Sequence, residues 1–243
     1  MVNEMNKIEL LQNIIDNSDN IVFFSGAGIS TLSGLKDFRS EDGLYSESFD
    51  YPPEEILSHH FFMYNPDYFY NFYRSKLNPL AYKPNIIHYY LTELEKTGKL
   101  KAVITQNIDN FHLLAGNKNV LELHGNVMRN YCTKCHKAYD GDYIFKTDGI
   151  LKCSCGGIIK PNVVLYEEPL NDNILDEAIK KISQCDTLII AGTSLTVYPA
   201  AGLVKFFHGQ NLVIINRDLT SYDQKADLVI NDDLKEVFTK LHV

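Results

Sequence analysis

The stretch Ile21-Val22-Phe23-Phe24-Ser25-Gly26-Ala27-Gly28 decides the fold of this chain. Its first four residues form a short, continuous apolar run, which is typical of a parallel strand buried on both faces. The strand leads directly into a Gly-x-Gly turn, where small residues let the backbone approach a ligand closely. A helix that begins there would direct free N–H groups at a phosphate. Residue 31 is threonine, so the full dinucleotide fingerprint is absent, and a plain strand-to-helix turn is the alternative explanation.

Helical and strand-like patterns alternate along the rest of the chain. We predict helices at 4–17, 85–97, 172–183, 199–207 and 233–241. We predict strands at 20–24, 101–105, 120–123, 163–166, 186–191, 211–215 and 227–230. The alternation indicates an α/β fold, a Rossmann-type doubly wound sheet of about six parallel strands with helices on both faces.

Two segments interrupt this alternation and predict a second, smaller domain. Residues 40–84 are rich in Tyr, Phe and Pro, and Asn65-Pro66 is typical of an N-cap followed by proline at the first helical position, so we expect a helical module. Residues 129–160 hold four of the five cysteines. We therefore predict a discontinuous Rossmann-type domain over 1–39, 85–128 and 161–243. The helical module and the cysteine-bearing insert together form the small domain.

Composition and charge exclude several classes of protein. The net charge of −8 over 243 residues argues against a nucleic-acid partner, because gripping a phosphate backbone usually requires a basic face. No stretch of about 20 apolar residues is present, so we expect no membrane span. The first residues lack the basic-then-apolar order of a signal peptide, and we expect a cytoplasmic protein.

The cysteines predict a structural metal site. Cys132 and Cys135 are followed by Cys153 and Cys155, a four-thiolate spacing typical of zinc, although the second pair is separated by one residue rather than two. Four protein ligands leave zinc no open position, so we expect it to take no part in chemistry. Cys185 begins a predicted strand and is most simply a buried thiol.

Polar motifs follow several of the predicted strands. They are Thr105-Gln106-Asn107-Ile108-Asp109, His124-Gly125 and Gly192-Thr193-Ser194-Leu195. A further motif, Asp37-Phe38-Arg39, lies about ten residues beyond the glycine turn. Arginine suits a pyrophosphate, and histidine suits proton transfer near pH 7. Taken singly, Asp109 could be a helix cap and His124 a structural histidine. Taken together and in this order, the motifs resemble those of the sirtuin family, the NAD-dependent protein lysine deacylases.

The resemblance extends from about residue 20 to residue 235 and implies NAD as co-substrate, an acyl-lysine protein or peptide as partner, and nicotinamide as a product. The acyl group would pass from lysine to ADP-ribose, with His124 as general base. It implies one structural Zn²⁺ on the four cysteines and Val164 against the acyl-lysine. The implied cofactor-binding residues are Ala27, Thr31, Phe38, Arg39, Gln106, Asn107, Ile108, Asp109, Thr193, Ser194, Asn216 and Asp233.

The chain also departs from the family pattern. Leu35-Lys36 replaces Ile-Pro, and Tyr166-Glu167-Glu168 replaces Phe-Gly-Glu. Sirtuins that prefer acidic acyl groups resemble one another in a Tyr-x-x-Arg pair. Here Asn71, not tyrosine, lies three residues before Arg74, so we expect neutral acyl groups to be preferred. Phe69, Phe72 and Tyr73 would form an apolar wall, with some of them facing the core of the module itself. A non-catalytic NAD-sensing or zinc-ribbon adaptor and a mono-ADP-ribosyl transferase that uses the same site are the alternatives.

Overall fold

The computed structural model describes residues 6–40 and 42–243, and the following bounds refer to those residues. The strands are β1 (Ile21–Ser25), β2 (Leu100–Thr105), β3 (Val120–Glu122), β4 (Gly125–Cys132), β5 (Ala138–Asp140), β6 (Ile159–Val163), β7 (Thr187–Ala191), β8 (Asn211–Ile215) and β9 (Leu228–Ile230). The helices are α1 (Lys7–Asn17), α2 (Pro53–Ile56), α3 (His59–Tyr64), α4 (Pro66–Lys76), α5 (Ile86–Lys96), α6 (Phe111–Ala115), α7 (Tyr143–Lys146), α8 (Asp172–Gln184) and α9 (Leu234–Phe238). Residues 4 and 5 of the predicted first helix lie outside the described residues.

The main sheet has six parallel strands in the order β3-β2-β1-β7-β8-β9. Strand β1 is buried along its whole length, as its continuous apolar run predicted. The chain first adds strands on one side of β1 and then, from β7 onward, on the other. Such a reversal leaves a crevice at the carboxyl ends of the two central strands, where doubly wound folds bind ligands. The predicted fold is confirmed, and the crevice lies between the ends of β1 and β7.

Successive side chains of each strand point to opposite faces of this sheet. Apolar side chains therefore lie on both faces, and helices cover both. Phe23 points to one face, where α1, α5 and α9 supply the buried residues Leu11, Leu91 and Phe238. Val22 and Phe24 point to the other face, which α8 and a 3₁₀ helix at Ala200–Phe206 cover. The predicted 199–207 helix is therefore 3₁₀ rather than α.

The smaller domain combines helices α2, α3, α4 and α7 with an antiparallel sheet ordered β5-β4-β6. Its core is aromatic, as the composition of 40–84 predicted, and includes the fully buried Phe62, Phe69, Tyr70 and Tyr73. Asn65 caps α4 by accepting from the Tyr68 N–H, and Pro66 occupies the first turn.

The prediction of a parallel strand at 163–166 is wrong. The strand is β6, it ends at Val163, and it pairs antiparallel with β4 in the small sheet. It contains Pro161, which has no N–H to donate and is tolerated because β6 lies at an edge of the sheet. The apolar Val164-Leu165 that suggested a strand leads into a turn, where Glu167 has φ of 73°. The predicted domain limits stay a prediction, and β4 and β6 each cross one of them.

Candidate active site

Two turns at the centre of the main sheet interlock and form the floor of the crevice. The Gly28 N–H donates to the Gly192 carbonyl at 2.8 Å, and the Gly26 N–H donates to the Ala191 carbonyl at 3.2 Å. A Cβ on Gly28 would lie 2.8 Å from the Gly192 Cα, closer than real side chains allow. Residues 27–33 continue as a 3₁₀ helix, not the α-helix expected after the glycines. These glycines are therefore needed for the close packing of the two turns.

A cavity of about 740 Å³ opens above this floor and is bounded by both sheets. Its lining includes nearly all of the predicted cofactor and substrate residues, namely Ala27, Thr31, Phe38, Arg39, Gln106, Asn107, Ile108, His124, Val164, Thr193, Ser194, Asn216 and Asp233. Residues separated by more than 200 positions thus meet in one crevice. Asp109 is the exception, since it lies behind the cavity wall.

His124 lies where the chain passes from the parallel to the antiparallel sheet, between β3 and β4. Its Nδ1 is 3.0 Å from the Gln106 carbonyl oxygen. A carbonyl only accepts, so Nδ1 carries the proton and, in the neutral ring, Nε2 is left as the basic atom. The His124 carbonyl in turn accepts from the Val164 N–H at 2.9 Å. The histidine is thereby fixed between the cofactor motif and the predicted substrate residue.

The surroundings of His124 keep its ring neutral. Burial lowers the pKa of His124 below its usual value, and the positive charge of Arg39 lowers it further. The hydrogen bond to the Gln106 carbonyl acts in the opposite direction but does not reverse the shift. A histidine with this pKa can accept a proton at neutral pH.

We expect this shift to appear in the pH profile of the reaction. A general base must be unprotonated in the free enzyme, and the pKa of His124 lies below 6.5. The acid limb of kcat/KM for the acyl-lysine peptide should therefore have its midpoint below pH 6.5, with full activity retained above it. A steady-state profile between about pH 5 and 8, with NAD well below saturation so that the free enzyme predominates, measures it. A midpoint above 6.5 would contradict the environment described for the ring.

Asp109 is a buried group that shapes the site from behind. Its carboxylate accepts from the Ser30 hydroxyl at 2.6 Å and from the Phe111 N–H at 2.9 Å. Burial raises the pKa of Asp109, while these two hydrogen bonds act to lower it. The Asn107 Nδ2 donates to the same Ser30 hydroxyl at 3.1 Å. Asp109 therefore orients Asn107 through Ser30 and also accepts from the first N–H of α6, whereas Asn110 occupies the N-cap position without a capping side-chain bond.

The Asn107 side chain leaves an acceptor for a ligand. Asn107 lines the cavity, and its Oδ1 is buried with no hydrogen-bond partner among residues 6–40 and 42–243. An unpaired buried amide oxygen costs free energy unless a ligand or ordered water satisfies it. Close-packed glycine turns, an arginine and this free acceptor all fit a dinucleotide such as NAD.

A buried network that the sequence analysis missed holds the other side of Asn107. The Thr105 hydroxyl accepts from the Asn107 N–H at 3.0 Å and from the Ser25 hydroxyl at 2.8 Å. Since the single Ser25 proton is used there, His112 Nε2, 3.2 Å away, is the donor to Ser25. Burial lowers the pKa of His112 to about 4, so the ring is neutral. The sequence places Ser25 and Thr105 at the ends of strands. It does not show that these two strands pair and bring the two hydroxyls together.

The four predicted zinc ligands come together in the small domain. All four Sγ atoms lie within 4.8 Å of one another, with Cys132 and Cys155 at 3.4 Å and Cys135 and Cys153 at 3.6 Å. A tetrahedral site with Zn–S bonds of about 2.3 Å has edges of about 3.8 Å, so the donor set fits zinc. The Cys-x-Cys pair does not prevent the grouping, because Gly156 adopts φ of 83° and closes the turn. Cys185 lies elsewhere and is buried, as predicted.

The expected aromatic acyl wall is not where the sequence placed it. Phe69, Phe72 and Tyr73 are buried in the core of the small domain and do not line the cavity. They face inward because α4 packs that side against α2, α3 and α7. Apolar lining comes from other residues instead, among them Phe38, Leu57, Leu77, Ile108 and Val163.

Comparison with known proteins agrees with this geometry. The model of the Sir2 family matches residues 26–199, which span both glycine turns, His124 and the four cysteines. This chain belongs to the Sir2 family. The sirtuin resemblance is thereby confirmed.

Alignments with similar proteins extend over almost the whole of this Sir2-family chain. An NAD-dependent protein deacetylase of Clostridium perfringens is 56% identical over 97% of this chain and 98% of its own length. One from Clostridium acetobutylicum is 53% identical over 96% and 97% of the two chains. A solved structure of Sir2 with deacetylated p53 peptide and 3′-O-acetyl-ADP-ribose has a TM-score of 0.89 at 37% identity, covering 96% of each chain. Another, Sir2 with p53 peptide and NAD⁺, has a TM-score of 0.85 at 39% identity, covering 97% of each.

Among the helices of residues 6–40 and 42–243, none combines the length and the hydropathy that a membrane span requires.

Proposed function

We propose that this chain is an NAD-dependent protein lysine deacetylase, which transfers the acyl group of acyl-lysine to ADP-ribose and releases nicotinamide and deacylated lysine. The observation that carries the proposal is His124, whose ring faces a cavity shared by the cofactor motifs and by Val164. Two curated relatives more than half identical to this chain are named for the same activity. The cytoplasm is proposed as its location, since four clustered thiols and one buried free thiol suit a reducing compartment.

The roles proposed for the cofactor residues follow from their positions. The interlocked turns at Gly26 and Gly192 leave Ala27, Thr193 and Ser194 at the cavity, where small and hydroxylated groups suit phosphate and ribose. Gln106 donates to Thr193 at 3.0 Å and joins the two motifs. Further along the lining, Asn216 and Asp233 form the proposed adenosine end. Once bound, NAD would supply an electrophilic ribose carbon, and the cofactor-binding residues named here would orient that ribose.

The proposed catalytic role falls to His124 alone. Its Nε2 accepts a proton from a sugar hydroxyl, and its Nδ1 remains bonded to the Gln106 carbonyl throughout. Partial burial of the ring lowers the pKa of His124, which leaves Nε2 unprotonated and able to accept that proton. The nucleophile is the acyl oxygen of the substrate, so no protein nucleophile is needed. Zinc, held by four cysteines, has a structural role.

The experiment that tests this proposal is release of nicotinamide that depends on an acetyl-lysine peptide. Purified protein, NAD and peptide are combined, and nicotinamide is quantified against a matched unacetylated peptide. We expect release only with the acetylated peptide. Release that is independent of acetylation would point to hydrolysis of NAD, and no release with any acyl-lysine peptide would refute the proposal.

We expect neutral acyl groups to be preferred over acidic ones. Arg74, the only arginine of α4, donates to the Ile144 carbonyl at 2.8 Å and to the Gly149 carbonyl, and it does not line the cavity. Desolvating an acyl carboxylate without a paired cation is costly. On one peptide sequence, kcat/KM should be at least about tenfold higher for acetyl-lysine than for succinyl-lysine. A preference for succinyl-lysine would mean that another cation, such as Arg39, reaches the acyl group.

A further inference from the structure

Tyr166 lies between the substrate side and the cofactor side of the cavity. Its N–H donates to the Leu57 carbonyl at 3.0 Å, and its carbonyl accepts from the His59 N–H at 3.0 Å. Two residues earlier, the Val164 N–H donates to the His124 carbonyl. The backbone of 164–166 is thus fixed to the small domain and to the catalytic histidine at the same time.

The side chain of Tyr166 crosses to the cofactor side. Its hydroxyl accepts from Arg39 Nη2 at 3.2 Å and lies 2.8 Å from the Tyr45 hydroxyl. The Arg39 guanidinium in turn lies 5.2 Å from the centre of the Tyr45 ring, within the range of a cation–π contact. Phenylalanine, which the sirtuin pattern has at this position, could make neither hydrogen bond.

Two backbone hydrogen bonds hold the residues next to Arg39 against the residues next to Tyr45. The Leu44 N–H donates to the Asp37 carbonyl at 2.7 Å, and the Tyr45 N–H donates to the Phe38 carbonyl at 2.9 Å. The Tyr45 ring also packs edge-on against Phe38, with ring centres 5.6 Å apart. A contact that holds Arg39 and Tyr45 therefore also sets the position of Phe38, which lines the cavity.

We propose that Tyr166 is a positioning residue that couples peptide binding to NAD binding. A peptide that contacts the backbone at Val164 favours the arrangement of Tyr166 described above, in which the phenol holds Arg39 where it can meet the pyrophosphate. The coupling is reciprocal, since bound cofactor that engages Arg39 must favour the same arrangement of Tyr166. The inference rests on the proposed function, because it assumes that both ligands use this cavity.

The test is the affinity for ADP-ribose, measured by calorimetry with and without saturating acetyl-lysine peptide. In the wild-type protein, the peptide should tighten ADP-ribose binding roughly three- to tenfold, as expected for one or two hydrogen bonds. Tyr166→Phe keeps the ring but should bring this factor close to one. Tyr64→Phe is the matched control, because Tyr64 is 81% exposed and does not line the cavity. It should behave as wild type.

A second arm asks whether Tyr166 acts through Arg39. In an Arg39→Ala background, adding Tyr166→Phe should change neither ADP-ribose affinity nor its response to peptide. An unchanged coupling factor in Tyr166→Phe, or a factor of one in the wild type, would overturn the inference. Nicotinamide release is measured on the same wild-type preparation. Its absence counts against the proposed deacetylase, whereas normal release with unchanged coupling counts against Tyr166 alone.

Discussion

Replacing His124 with alanine should lower kcat by about 10²–10⁴-fold, the range typical of a lost general base. Folding should be preserved, since the His124 ring faces a cavity and its hydrogen bond is to the Gln106 carbonyl. NAD affinity should change little, because the turns at Gly26 and Gly192 and the Asn107 network do not depend on the imidazole. Single-turnover rates, thermal unfolding and calorimetric NAD binding together measure these three expectations.

A matched histidine variant separates catalysis from general perturbation. His208→Ala changes an exposed histidine that does not line the cavity, and it should leave kcat and the melting temperature as in the wild type. If His124→Ala folds, binds NAD and turns over at nearly the wild-type rate, the role assigned to His124 is wrong.

Replacing Cys153 with serine should have the largest effect on stability. The Cys153 thiol is buried with Cys132 in the core of the small domain, among residues such as Val127 and Ile159. Binding of structural zinc is coupled to folding, so losing a ligand should cost several kcal/mol and lower the melting temperature by about 10–20 °C. Zinc content should fall well below one per chain.

The control for this prediction is the cysteine outside the cluster. Cys185→Ala also removes a buried thiol, yet Cys185 is not among the grouped ligands, so this variant should keep one zinc per chain. Elemental analysis and thermal unfolding of both variants are compared in parallel. Full zinc occupancy in Cys153→Ser would mean that the Cys-x-Cys pair is not part of the site.

The main sheet could be predicted because its strands are buried on both faces and appear as continuous apolar runs. The run at residues 21–24 gave β1 to within one residue. Strand β6 could not be placed by the same reasoning, because it lies at the edge of a small antiparallel sheet and contains Pro161. The apolar residues at 163–165 instead include the last residue of β6, Val163, and Leu165, which are both buried in the core of the small domain. The hydrophobic pattern of a segment indicates that the segment is buried, but it does not indicate which sheet the segment belongs to.

The site residues show a similar division. Residues that occur in compact motifs, such as His124 and Gln106-Asn107, were predicted because each motif follows a strand of the parallel sheet. Contacts between segments that are far apart in the sequence could not be predicted from such motifs. The Ser25–Thr105–His112 network depends on strand pairing, and the Arg39–Tyr166–Tyr45 cluster depends on how the two domains meet.

The central claim is that acyl transfer to ADP-ribose takes place in this cavity, and product analysis by mass spectrometry tests it most directly. The wild-type protein is incubated with NAD and an acetyl-lysine peptide, and all products are quantified. We predict deacetylated peptide, nicotinamide and acetyl-ADP-ribose in equal amounts, with His124→Ala producing them far more slowly. ADP-ribose attached to the peptide or to the protein, with the acetyl group still on lysine, would contradict the claim.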